Sequence, residues 1–341
     1  MNVTTVKIVR MTVGLTVAVA VSYGIGWPLS FVTPIFAAIF LLFPVWIGWK
    51  MAAQLIGRLV FSLFIGLIIS EYLLDFPLLC ILILGVLLFY IYYNDTPASP
   101  PMATLFMTIG VIMVPIMGLS GAQLSHLIAI GLLFNMTCGL FFAWLFHRFI
   151  PDSLAAQKPG SPAAAKPPPP PQPTSEERAR LAMISTLVAL TAVVFFFSFN
   201  LAQYSLAMLY ICLMAGTPST IASFQVMKAN ALATCIGGIA IIVAFNLLVA
   251  VPTYLFLLAV VFLFTYLFSV KIFDGGVYAA AFTSGLTTFL VLLGSSTGVD
   301  KEASVNFYLR IAQVLFAGLF TIVALRVVEH ILRPKGKKVK N

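Results

Sequence analysis

Charge is scarce in this chain. Of 341 residues, 9% are Asp, Glu, Lys or Arg, against about a quarter in an ordinary soluble domain. Acids are the scarcer sign, with 10 Asp and Glu against 19 Lys and Arg. Cysteine occurs four times, and Cys80, Cys138, Cys212 and Cys235 each lie singly inside an apolar run with no Cys-x-x-Cys pair. That spacing indicates neither zinc nor a disulfide framework, and packing thiols are expected. The three histidines, His126, His147 and His330, are too widely spaced to suggest a metal cluster. There is no Gly-x-x-x-x-Gly-Lys-Ser/Thr run, which excludes ATP hydrolysis at a Walker-type site. His-Glu-x-x-His and Gly-x-Ser-x-Gly are missing too, so neither a zinc protease nor a serine hydrolase of those types is indicated. No enzyme activity, metal or cofactor is expected.

What the chain has is apolar length. Hydrophobic residues make up 61% of it, more than a single core buries, so lipid is the expected solvent. The fold class expected is an all-α integral membrane protein of about twelve helices, each about 20 residues long. The runs fall at approximately 7–26, 28–46, 50–72, 76–93, 101–119 and 125–149, then 180–199, 203–217, 225–249, 252–270, 276–294 and 304–330. The first run passes through Tyr23, Gly24 and Trp27-Pro28 without a small-x-small cleavage site, so it reads as a span and not as a cleaved signal. The second run of each half is short and marked by proline (Pro34 and Pro44; Pro218), which fits a tilted, broken or re-entrant segment as well as a simple kink.

The halves share landmarks in the same order. Pro44 and Pro218, Pro77 and Pro252, Gly118 and Gly294, and the pairs His147/Pro151 and His330/Pro334 correspond, at an offset that grows from 174 to 183. Residues 1–150 and 178–334 are therefore expected to be two six-span repeats. They are joined by a proline-rich linker, 151–177, centred on Pro167 to Pro171; such a segment forms an extended polyproline spacer. Residues 335–341 form a basic tail. With the N-terminus inside, Lys7, Arg10, Lys50, Arg148, Lys228, Lys271, the linker cations and the tail all fall on the cytoplasmic side, and Lys301 alone falls in an outer loop. That asymmetry follows the positive-inside rule and places both termini in the cytoplasm. It also accounts for the net charge of +9 without nucleic acid; anionic lipid is the expected contact of the tail. Each half has an even number of spans, so the repeats are expected to be parallel.

Two charges fall within spans, Arg58 in the third and Arg310 in the twelfth. A central arginine costs about 2.5–3.5 kcal/mol on insertion scales and commonly faces a bundle interior or an aqueous path. Two readings stand for each: an anion contact, since guanidinium meets carboxylate through paired hydrogen bonds, or a structural or snorkelling group. Gln54, Gln313, Asn230 and Thr234 lie along the same or matching spans as candidate substrate contacts, with helix–helix hydrogen bonding as the alternative. Asn135 in the sixth span reads the same way. His147 and His330 sit at matching span ends and suit helix C-terminal dipoles. No acid is placed at mid-membrane; Asp95 and Asp274, in matching loops, are candidates for proton coupling or gating, or for salt bridges to nearby cations.

This pattern resembles the fusaric acid resistance and aromatic acid exporter superfamily. The resemblance rests on the six-plus-six duplication, on an arginine opening each half (Arg10; Arg178 or Arg180), on the Arg310-x7-Gly318 arrangement and on the glycine-bearing third span around Gly57. It is similar to a short bacterial branch that lacks the soluble cytoplasmic domain of larger exporters. The resemblance implies an inner-membrane exporter subunit for small amphipathic organic anions, aromatic carboxylic acids among them. It implies work with a periplasmic adaptor and an outer-membrane channel, and leaves a homo-oligomer open. The proton gradient is expected to drive it, by elimination of ATP. The first half carries Gly131 to Asn135 where the second carries Arg310, a departure from symmetric anion binding. A passive anion channel and a non-transporting scaffold of an efflux assembly are the alternatives.

Overall fold

The computed structural model describes residues 3–95, 102–151, 174–216, 220–276, 278–296 and 303–331. Segment 152–173 (most of the proline linker), Pro218 and the basic tail lie outside the described residues. Every regular element among the described residues is helical. In chain order the helices are α1 (Val3–Ile25), α2 (Val32–Leu41), α3 (Trp49–Leu73), α4 (Pro77–Tyr93), α5 (Ala103–Gly118) and α6 (Ala122–Phe149). After the linker come α7 (Ser175–Ser198), α8 (Ser205–Ala215), α9 (Thr220–Ala250), α10 (Tyr254–Phe273), α11 (Ala279–Ser296) and α12 (Ala303–Ile331).

Local chemistry explains several boundaries. Pro77 opens α4, where its missing N–H costs nothing. Thr174 caps α7 by accepting a hydrogen bond from the Glu177 backbone N–H at 3.3 Å, with Glu176 and Glu177 in the first turn. The expected interruption at Pro34 lies harmlessly in the first turn of α2. Pro44 follows the end of α2, as a proline does when the residue before it is pushed out of the helical region. With 10 and 11 residues, α2 and α8 rise only about 15–17 Å, roughly half the hydrocarbon thickness. Six stretches are long and apolar enough to cross a membrane: α1, α3, α6, α7, Ala231–Ala250 of α9, and α10. The chain is thus a helical, multi-pass membrane type by length and composition.

The chain forms two compact units, and neither is a sequence half. Unit 1 is Met1–Gly57, Leu127–Pro168 and Ala229–Ala312. Within it α1 packs on α10 and α2, α10 packs on α11, and α11 returns to α2. The Tyr254 hydroxyl at the start of α10 donates to the Ala20 carbonyl near the end of α1, so these two helices run antiparallel. Unit 2 is Arg58–His126, Pro169–Lys228 and Gln313–Asn341. Within it α4 packs on α7 and α5, α7 packs on α8, and α8 meets α5. Its core gathers Leu84, Leu88, Val188, Ala192, Met208 and Ile211. Each unit therefore closes the first and second helices of one half against the fourth and fifth of the other.

A close crossing also occurs twice. In unit 2, a Cβ at Gly66 of α3 would collide with the Gly110 carbonyl of α5, and one at Gly110 would collide with Ser62. In unit 1, a Cβ at Gly237 of α9 would collide with the Gly285 carbonyl of α11. Missing side chains let the backbones meet, the usual device for joining helices where lipid gives no hydrophobic drive. The turns after α1 and after α7 each hold a non-glycine residue in the left-handed region, Leu29 (φ 57°) and Asn200 (φ 48°).

Candidate functional site

Arg58 and Gln54 stand one turn apart on the same face of α3. Gln54 is exposed and Arg58 half-buried. A side chain added at Gly57, beside them, would meet open space. No described residue gives Arg58 a hydrogen bond or ion pair. A cation on an apolar helix, flanked by an exposed amide and a bare glycine, has its bonding capacity available to a ligand.

The remaining expected site residues are dispersed. Thr234 of α9 and Gln313 of α12 are buried, the first in unit 1 and the second in unit 2. Arg310 and Asn230 belong to α12 and α9, but their side chains lie outside the described residues. Asp95 and Asp274 are exposed just past the ends of α4 and α10. The acid that does pair is Glu71, with His126 at 3.4 Å within unit 2. Among the described residues no group of His, Cys, Asp or Glu is arranged to hold a metal ion. The four thiols are free, with Cys80 and Cys212 buried.

Sequence reasoning placed Arg10 merely at the head of the first span; the structure buries it to 1% exposure. Its guanidinium donates to the Pro44 carbonyl at 3.1 Å and to the Ile150 carbonyl at 3.4 Å. These oxygens belong to the segments just past the C-termini of α2 and α6. A guanidinium there satisfies them and complements both helix dipoles. His147, in the last turn of α6, is also buried. Its Nδ1 lies 2.7 Å from the Ala143 carbonyl and its Nε2 lies 3.2 Å from the Phe43 carbonyl. The expectation of a dipole-facing histidine holds, but the contact is a buried bridge to α2 and not a headgroup. Around it sit three of the chain's four tryptophans: the Trp46 ring centre is 6.4 Å from His147 and 5.5 Å from Trp49, which is 5.5 Å from Trp144. Such rings mark a membrane–water boundary. The signal that distinguished Arg10 from Lys7 was its place one turn deeper in the apolar run.

Toward the other end of α1, Asn135 of α6 holds the turn between α1 and α2. Its Oδ1 accepts from Trp27 Nε1 at 2.9 Å and from Thr33 Oγ1 at 2.5 Å; its Nδ2 donates to Gly131 O at 2.7 Å and Pro28 O at 3.2 Å. Both acceptor sites and both donors are used, so the helix–helix reading of this residue is the one realised.

Residues 7–146 are similar to a family described as "Protein of unknown function (DUF2955)". The match runs from α1 almost to the end of α6, one sequence half. No curated protein and no solved structure matches the chain.

Proposed function

We propose that the chain is a membrane transport subunit that exports small amphipathic organic anions, built from two related, parallel six-helix repeats. The matched family is a member of the fusaric acid resistance-like superfamily that the sequence resembles, and its model spans one repeat-sized block. The exchange of helices within each unit, the Gly66/Gly110 and Gly237/Gly285 crossings and the paired left-handed residues support duplication. Parallel repeats are a common plan of secondary transporters, whose sites form between repeats.

The observation that carries the anion reading is Arg58, unsatisfied by described residues beside Gln54 and the open flank of Gly57. Arg58 and Arg310 serve as carboxylate contacts, Gln54, Gln313, Asn230 and Thr234 line the path, and the proton gradient supplies the drive. In this reading both termini face the cytoplasm of a bacterial inner membrane, and a periplasmic adaptor and an outer-membrane channel continue the route.

Purified protein in sealed vesicles, loaded with a fluorescent aromatic carboxylate and subjected to a pH gradient, tests this. Uphill flux is expected, and Arg58→Ala should reduce it about tenfold or more, the equivalent of one charge-assisted contact. Flux that stays strictly downhill under the gradient makes the protein a passive channel. Arg58→Ala and Arg310→Ala chains that insert normally and carry the acid at the parent rate remove both arginines from the path.

A further inference from the structure

We infer that His147 is a proton-binding site that latches the C-terminal end of α2 to α6. The argument rests on hydrogen-bond stoichiometry. Both ring nitrogens of His147 face carbonyl oxygens, Ala143 O at 2.7 Å and Phe43 O at 3.2 Å. A carbonyl oxygen only accepts, so both contacts are hydrogen bonds only if both nitrogens donate. A neutral imidazole has one N–H; only the imidazolium has two. The bridge drawn by the structure is therefore complete with a proton bound and loses one bond when it leaves, with a lone pair then opposing a carbonyl oxygen.

The surroundings make that proton consequential. Phe43 precedes Pro44, whose carbonyl takes the Arg10 guanidinium at 3.1 Å. Two adjacent carbonyls past the end of a ten-residue helix are thus contacted by Arg10 and His147, from two other helices. Charged and titratable groups on the surrounding elements are Lys7 and Arg10 of α1, Lys50 of α3 and Arg148 of α6 itself. Arg10 is buried, Lys7 half-buried, and Lys50 and Arg148 exposed. At the end of α10, Lys271 and Asp274 are exposed. Raising the pH removes the imidazolium and loosens the latch; lowering it closes the latch. Histidine is the side chain whose ordinary charge change lies near neutrality. The inference names no substrate and stands apart from the anion path at Arg58.

The full chain in lipid nanodiscs tests it directly. With His126→Gln and His330→Gln, His147 is the sole histidine, and its ring ¹⁵N resonances report protonation. The expected result is the near-degenerate pair of an imidazolium at acid pH, separating into the wide pair of a neutral ring as pH rises. A ring that stays neutral, or one indifferent to pH, over the whole range in which the chain stays folded overturns the proposal.

A second arm replaces the four native cysteines by alanine and compares maleimide labelling of Leu41→Cys, on the buried last residue of α2, with that of Val45→Cys, which is exposed. The labelling ratio should rise up to about tenfold per pH unit with His147 present, as a single-proton equilibrium dictates. It should be flat with His147→Gln. An identical profile in both backgrounds overturns the latch.

Discussion

In unit 1 the arginine of the first helix, Arg10, is wholly enclosed and bonded to two helix-end carbonyls. In unit 2 the arginines at the head of α7 stay at the rim: Arg180 is exposed, and Arg178 is half-buried with its guanidinium carbon 4.6 Å from the centre of the Tyr93 ring. The α4–α7 seam gathers Leu84, Leu88, Val188 and Ala192. Thr12 of α1 and Thr265 and Ser269 of α10 are buried hydroxyls without partners among the described residues. The two units share one helix arrangement, and the buried arginine and histidine, Arg10 and His147, both lie in unit 1. Both units cross bare backbones at a glycine pair, while the buried arginine is found in unit 1 alone among the described residues.

Removal of the two arginines is the strongest way to break this comparison. Arg10→Met removes a charged donor from the Pro44 and Ile150 carbonyls, at about 1.5–3 kcal/mol for each hydrogen bond lost. Arg178→Met loses a cation–π contact of about 0.5–1 kcal/mol. Thermal unfolding in detergent should therefore drop several-fold further for Arg10→Met. Equal losses would mean that the two arginines do the same work and that burial at Arg10 has no special weight.

The repeated crossing sharpens the other side of the comparison, what the two units share. Gly66→Ala and Gly237→Ala each push a methyl group into a facing carbonyl and should cost a similar amount, about 1–3 kcal/mol as overpacking does. Gly57→Ala, with open space around it, should be neutral or stabilising by up to about 1 kcal/mol through helix propensity. A large loss at Gly66 with none at Gly237, read by the same unfolding assay, would remove the structural equivalence of the two crossings.

Helix content, the positions of most helices and the shortness of α2 and α8 were legible in the sequence because apolar run length and proline are local signals. The partnering of helices was not. Nothing local in α1 distinguishes packing on a helix of its own half from packing on α10, so the compact units cut across the two blocks that the linker separates in sequence. The site was legible unevenly. Arg58 stood out because a cation in a hydrophobic run is costly wherever it lies. Arg10 looked like one more anchoring cation near a span end, because the carbonyls that enclose it come from residues 34 and 140 positions away. In the sequence Asn135 reads as a path-lining candidate with helix–helix hydrogen bonding as the alternative, and its four partners follow the alternative.

The smallest test addresses the hydroxyls. Thr265 keeps its Oγ1 buried without a partner among the described residues, and such a group costs about 1–3 kcal/mol unless water reaches it. Valine has the same shape without the polar atom. If the α1–α10 seam is dry, Thr265→Val should raise stability by about 1 kcal/mol, and Thr12→Val on the facing helix should add a similar or smaller gain. If the seam is wetted, the substitution expels a bound water and stability falls. Paired unfolding curves of the two variants against the parent decide between these outcomes. A gain at both positions shows that unit 1 retains polar groups at the expense of stability, which is the expected mark of a functional seam; a loss shows that its polar character is part of what holds α1 to α10.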